Sequence, residues 1–171
     1  METIKFKIQL SVKDLYYFMM FHYYDKLSGI FGVVLSIAAA VVLVMNFSEM
    51  GDTERLFFLI IALLFTVINP ILMLIKARSQ IISNKSLGGE LTYYLDDSQI
   101  SIRMGGEKAD IKWEQVTRVK DNGRELVVYV TAARGYIWPK RQIADQYDQI
   151  IAALKGHVDE SRLRLKREKK K

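Results

Sequence analysis

The chain lacks cysteine, and its 171 residues include only two histidines and two prolines. Without cysteine it can form neither a disulfide nor a thiolate metal site. His22 and His157 lie far apart in the sequence, so neither a histidine metal cluster nor a serine–histidine pair is indicated. The glycine pairs 88–89 and 105–106 lack the lysine and helix of a phosphate-binding loop. We therefore expect a protein that is not an enzyme and binds no cofactor or metal.

Charge is absent from two long apolar segments near the start of the sequence, residues 27–48 and 56–75. These segments contain 22 and 20 residues. A helix of about 20 residues crosses the roughly 30 Å hydrocarbon layer of a bilayer. Several charged side chains precede the first segment, which is unlike a cleaved signal peptide. The sequence therefore predicts a multi-pass membrane protein with a transmembrane hairpin at residues 27–76.

Basic residues are distributed unevenly around the two segments. Seven lysines and arginines flank the hairpin: Lys5, Lys7, Lys13, Lys26, Lys76, Arg78 and Lys85. The connecting loop contains three acidic residues and one basic residue, Arg55. Because lysine and arginine accumulate in short cytoplasmic loops, we expect both termini in the cytoplasm and the loop outside.

Small side chains recur at every fourth residue of the first segment: Ser28, Gly32, Ser36 and Ala40. Such a stripe lets two helix backbones approach closely in lipid. We expect it to pack against the second span, because a short loop makes the two spans neighbours. A homodimer interface through the same stripe is the alternative interpretation.

The second segment contains Asn69-Pro70, and neither segment contains an ionisable residue. Proline lacks an amide hydrogen, so we expect Pro70 to kink the helix at this point. The absence of ionisable residues argues against a proton relay or an ion pathway.

Before the hairpin, residues 3–10 alternate between apolar and polar side chains, which predicts a half-buried strand. A strand needs neighbours, so we expect this one to join a sheet formed after the second span. Ser11 to Asp14 resembles a capping box and predicts the start of a helix with an aromatic far end. Residues 1–26 would thus form a strand and an interfacial helix.

After the hairpin, residues 90–138 contain six short apolar segments separated by turns, including the hairpin signals Gly105-Gly106 and Asn122-Gly123. Apolar residues from Ile143 to Leu154 recur at helical spacing, and Gly156 is a plausible helix end. With the N-terminal strand, this gives seven antiparallel strands and one helix. We expect an α+β fold with a bent sheet or barrel, capped by the C-terminal helix as in a pleckstrin-homology (PH) domain.

The segment 158–171 is strongly basic and includes Arg162, Arg164, Lys166, Arg167, Lys169, Lys170 and Lys171. Each such residue gains about 1 kcal/mol beside an anionic lipid surface. We expect lipid headgroups as partners in preference to nucleic acid, because a tethered segment meets lipid at high effective concentration. A disordered solubilising segment is the alternative.

The order of these elements resembles that of the bacterial YcxB-like family over nearly the whole chain. Three short segments carry the resemblance: residues 89–94, residues 111–116 and residues 136–141. The resemblance implies a bacterial plasma-membrane protein with two spans and a PH-like cytoplasmic domain at residues 86–157. It implies no particular reaction.

Two functional hypotheses remain open at this point. The first is a membrane-anchored binding, recruitment or regulatory module that contacts a protein partner through a sheet edge and the groove beside helix 143–155. The second is a structural or accessory subunit that oligomerises through its transmembrane helices.

Overall fold

The structure is a computed structural model that describes residues 3–132 and 134–166. The chain divides into two compact units. One unit combines Met1–Leu15 with Gln80–Lys171, and the other is Tyr16–Ser79. The first unit is α+β, and the second is helical.

The helical unit is built on two apolar stretches that follow helix α1, Val12–Tyr24. The first stretch is α2, Leu27–Met45, and the second comprises α3, Asp52–Leu63, a π turn, Leu64–Ile68, and α4, Asn69–Ser83. Both stretches are long and apolar enough to cross a membrane. Most of their large apolar side chains are exposed, which is unusual for a protein surrounded by water.

The π turn lies directly before Pro70. In a regular α-helix the proline ring would clash with the carbonyl of Thr66, four residues earlier. In the wider turn, the amide of Asn69 donates to the carbonyl of Leu64, which relieves this contact. The structure thus has a π turn next to the position where the sequence predicts a kink.

The first sheet contains four antiparallel strands in the order β1-β2-β3-β4. These are β1, Ile4–Gln9; β2, Glu90–Leu95; β3, Gln99–Met104; and β4, Glu107–Lys112. Strand β1 pairs with β2 in a register that runs from Ile4 opposite Leu95 to Gln9 opposite Glu90. The prediction that the N-terminal strand joins the sheet formed after the second apolar stretch is confirmed.

The second sheet has the order β7-β6-β5-β8. Its strands are β5, Arg118–Asp121; β6, Glu125–Tyr129; β7, Gly135–Pro139; and β8, Leu163–Arg164. The pairs of β5 with β6 and of β6 with β7 are antiparallel, whereas the short β8 is parallel to β5.

The sequence predicts a bent sheet or a barrel; the described strands form two separate sheets and no closed barrel. A 3-10 turn, Trp113–Gln115, lies between β4 and β5, where the chain passes from one sheet to the other. The Trp113 indole donates to the carbonyl of Asp96 at 2.9 Å and stacks on the His157 ring, which fixes the turn. The chain therefore changes sheets at this turn instead of continuing one ladder.

Aromatic rings join the two sheets. The Phe6 ring stacks on Tyr93 with centroids 5.3 Å apart and meets the Trp138 ring edge-on at 5.2 Å. Helix α6, Tyr147–His157, buries Ile150, Ala153 and Leu154. It continues through Gly156, which the sequence had suggested as its end, because the glycine is tolerated within the last turn. The remaining helix, α5, spans Lys85–Gly88.

Candidate functional site

Three consecutive residues after β7, Lys140 to Gln142, bind distant parts of the α+β unit; we call them the 140–142 turn. The ammonium of Lys140 lies 2.7 Å from the buried carboxylate of Asp121 at the end of β5. The side-chain amide of Gln142 both donates to and accepts from the backbone of Gln9, each time at 2.9 Å. It therefore pairs with the end of β1 as a neighbouring strand would.

The middle residue of this turn, Arg141, forms a two-pronged ion pair with Asp14 near the start of α1. Its Nη1 and Nη2 atoms donate to the two carboxylate oxygens at 2.5 and 2.9 Å. The amide and hydroxyl of Ser11 also donate to this carboxylate. Burial alone would raise the pKa of Asp14, but the hydrogen bonds from Arg141 and Ser11 outweigh it and lower the pKa below its usual value. Asp14 is therefore ionised and firmly held at neutral pH.

A second buried carboxyl, that of Glu125 at the start of β6, has a raised pKa, in contrast to Asp14. Only 1% of this residue is exposed, and its Oε2 accepts a hydrogen bond from the Asn122 side chain at 2.9 Å. Burial raises the pKa of Glu125 to about 7, and the charge of Asp14 adds to the effect. This side chain can thus change its protonation near neutral pH. Its buried position favours a role in stability over catalysis.

The edge of β5 is occupied by part of the basic segment. Leu163 and Arg164 pair with Val119 and Lys120 of β5. Arg162 donates to the carbonyl of Val116 at 3.2 Å. Lys166 lies 3.4 Å from the carbonyl of Asn122. Of the residues expected to bind lipid, Arg162, Arg164 and Lys166 therefore contact the protein itself. The others, Arg167, Lys169, Lys170 and Lys171, lie outside the described residues.

One face of the first sheet carries exposed basic residues; we call it the basic sheet face. They are Lys5, Lys7, Arg103, Lys108 and Lys112. The Tyr94 ring lies between Lys5, at 5.5 Å from its centroid, and Arg103, at 4.7 Å. Two acidic residues on this face, Glu90 and Asp110, form surface ion pairs. The described part of this face thus has an excess of positive charge, suited to an anionic partner.

In the helical unit, Gly32 and Ser36 face the second stretch of the same chain. A Cβ atom on Gly32 would lie 2.5 Å from the Phe65 ring, so glycine is what lets the helices approach. The Ser36 hydroxyl donates to the carbonyl of Ile61 at 2.8 Å and accepts from the amide of Phe65 at 3.3 Å. It thus stands between two backbone groups that would bond to each other in a regular α-helix.

The other two residues of the expected small-residue stripe are placed differently. Ser28 is exposed and Ala40 is half-buried, while Gly29 and Ala39 are buried in their stead. Four residues rotate a helix by about 400°, so a strict four-residue repeat drifts by about 40° per step away from one face. The alternating steps of three and four residues keep the buried side chains on a single face.

Sequence reasoning missed the contacts of the 140–142 turn. Arg141 and Asp14 are 127 positions apart, and isolated charged residues give no sign of their partners. The available signal was the capping pattern at Ser11–Asp14, which placed an acidic residue near a helix start. It did not reveal that Asp14 also has a basic partner. Across the described residues, no group of acidic or histidine side chains could hold a metal ion.

Residues 95–154 match the family described as "YcxB-like protein". The resemblance predicted from the sequence is confirmed for this segment, which runs from the end of β2 into α6 and includes the 140–142 turn. No curated protein matches the chain, and no solved structure matches it.

Proposed function

We propose that this chain is a two-span plasma-membrane protein that holds a PH-like, non-catalytic binding module at the cytoplasmic surface, where it recruits or regulates a protein partner. The observation that carries the proposal is the pairing of β1 with β2, which precede and follow the two apolar stretches. Both ends of the hairpin are therefore tied to one sheet, and the folded unit cannot leave a membrane into which the hairpin is inserted.

The charge distribution supports the cytoplasmic orientation. Most of the basic residues near the apolar stretches precede the first or follow the second, and the intervening loop is acidic. In that loop, Arg55 is held by Asp52 at 3.1 Å and by the carbonyl of Phe47 at 2.9 Å. The only basic residue of the loop is therefore engaged locally, which strengthens the asymmetry.

The arrangement of strands supports a PH-like module. A four-stranded sheet packs through Phe6 and Trp138 against a second sheet whose β5, β6 and β7 are antiparallel, and a helix follows them. Domains of this organisation commonly bind through loops, sheet edges and the groove beside the helix. The basic sheet face adds an anionic surface, such as phospholipid headgroups, as a second contact at about 1 kcal/mol per basic residue.

The buried polar groups support binding over catalysis. The buried carboxylates of Asp14 and Asp121 are each satisfied by a basic partner within the protein, Arg141 and Lys140, which suits a structural role. Glu125 has a pKa in the range of a general acid or base, but its side chain is buried and not open to a substrate.

In-cell photocrosslinking of the full chain tests the proposed function. A photoreactive residue would replace Glu107, which is exposed on edge strand β4, and in a matched variant it would replace Ser28, which is exposed on α2. We expect Glu107 to capture a reproducible heterologous protein, identified by mass spectrometry. Self-crosslinks through Ser28, with no partner at Glu107, would contradict the proposal and favour an oligomer built from the transmembrane helices.

A further inference from the structure

The edge of β5 is covered by a short segment of the same chain. Strand β5 has four residues, and the parallel ladder with β8 uses two of them, Val119 and Lys120. The covering strand is the shortest in the protein's described part, with two residues, and its ladder with β5 is the one parallel strand pair there. An exposed sheet edge is a template for an added strand. In this protein the edge of β5 is covered by β8, which pairs with only two of its residues.

The contacts that hold β8 follow a regular pattern along residues 162–166. Two basic side chains reach backbone carbonyls on either side of β5: Arg162 that of Val116, and Lys166 that of Asn122. Between them, Leu163 and Leu165 are half-buried. The segment therefore presents alternating basic and apolar side chains, as an extended peptide does when it adds to a sheet.

Space remains beside this segment. Leu163 and Leu165, together with Lys155 of α6 and Glu160, line a cavity of about 520 Å³. The two leucines thus only partly fill the groove between the segment and the helix. An occupant with larger apolar side chains at these two positions would fill it better.

From these contacts we propose that the edge of β5 is a strand-addition site for a partner protein, and that residues 161–166 occupy it as an internal substitute ligand. The partner segment is extended, with basic side chains alternating with apolar ones larger than leucine. Because two strands cannot pair with the same edge, the chain's own segment competes with the partner and weakens its apparent affinity. The inference rests on the proposed binding function and names the site and its regulation.

A disulfide lock tests the competition. Lys120 and Arg164 are opposite each other in the ladder, and the chain contains no cysteine of its own that could interfere. The variant Lys120→Cys/Arg164→Cys would be prepared as the full chain in lipid nanodiscs, oxidised and reduced. The probe is a labelled peptide with the sequence of residues 159–166 in which both leucines are replaced by phenylalanine.

We expect the oxidised variant to bind no peptide and the reduced form of the same protein to bind it. In a second variant, Leu163→Pro, the segment should no longer pair with β5, because the amide of Leu163 donates to the carbonyl of Glu160 and closes the turn that leads into β8, and proline lacks this hydrogen. This variant should bind the peptide about tenfold more tightly than the parent, because the competing segment is removed. Peptide binding that is unchanged by the lock or by Leu163→Pro would overturn the proposal.

The strand-addition site and the recruitment function can fail separately. In nanodiscs that contain anionic lipid, residues 161–166 could leave β5 while the exposed edge of β5 still binds no peptide. That result would assign this segment to the lipid surface and overturn the strand-addition site. A peptide site that behaves as expected, combined with no partner crosslink in cells from Glu107 or from Lys155, which lines the groove beside the segment, would support the site and count against the recruitment function alone.

Discussion

At the scale of single residues, the α+β unit depends on a few buried charges with different electrostatic surroundings. Asp14 is kept ionised by Arg141, whereas Glu125 is kept largely protonated up to neutral pH by burial. Removing Arg141 or Lys140 would leave the buried carboxylate of Asp14 or Asp121 without its basic partner and should be destabilising. The 140–142 turn is therefore a structural junction of the unit, because each of its side chains bonds a different segment.

The raised pKa of Glu125 predicts a pH dependence of stability. The folded chain holds the proton up to about pH 7, while the unfolded chain releases it near 4.5. The free energy of unfolding should therefore fall by about 3 kcal/mol as pH rises through this window, because the folded state there binds more protons. Asp14, whose pKa is lowered, titrates below the window. Thermal unfolding in detergent between pH 4.5 and 8 measures the slope.

The substitution Glu125→Gln tests this assignment. The glutamine still offers an oxygen to Asn122 but does not titrate, so the loss of stability between pH 4.5 and 7 should largely disappear. Glu107→Gln, at an exposed position of β4, is the matched control and should keep the slope of the parent. An unchanged slope in Glu125→Gln would contradict a raised pKa at this residue.

At the scale of elements, the first sheet depends on a strand that is separated in sequence from its neighbours. The inward side chains of β1, such as Ile8, are almost fully buried, and the outward ones, such as Lys5, are exposed. Strand β1 lies at one edge of the sheet and contributes Phe6 to the aromatic cluster. The core of the α+β unit is therefore incomplete without the residues that precede the hairpin.

Substitution by serine should affect the free energy of unfolding differently on the two faces of β1. Ile8→Ser removes a buried apolar side chain and should lower the free energy of unfolding by about 2–4 kcal/mol. Lys5→Ser, at an exposed position, should change it by less than about 0.5 kcal/mol. Limited proteolysis of residues 90–157 in the full chain provides the readout. Equal resistance in both variants would show that β1 does not belong to this core.

Much of this architecture is predictable because its signals are local. The alternation of apolar and polar side chains predicted β1, and short apolar segments between turns predicted the six strands of residues 90–138. The two apolar stretches were predicted because each is long and contains no charged residue. Contacts between distant segments left no such signal. The pairing of β8 with β5 was missed because a charged, two-residue strand has no recognisable period. Of the small residues predicted to pack in α2, Gly32 and Ser36 are buried and Ser28 is exposed, because a four-residue repeat does not follow the period of the helix.

At the scale of the whole molecule, the chain combines a helical hairpin with a folded unit assembled from both sides of it. One unit contains residues 16–79, and the other joins the segments before and after them. This connectivity explains why a binding module would need no separate linker to stay at the membrane. In the proposed membrane arrangement, both ends of the hairpin must emerge on the same side, which two spans provide and one or three would not.

Cysteine accessibility in intact cells tests the central claim, a two-span protein with its folded unit in the cytoplasm. The chain has no native cysteine, so single cysteines can be placed at Met50 in the loop and at Glu114 in the exposed turn after β4. A membrane-impermeant maleimide should label Met50→Cys in intact cells and Glu114→Cys only after permeabilisation. Labelling of Glu114→Cys in intact cells, with Met50→Cys protected, would contradict the account.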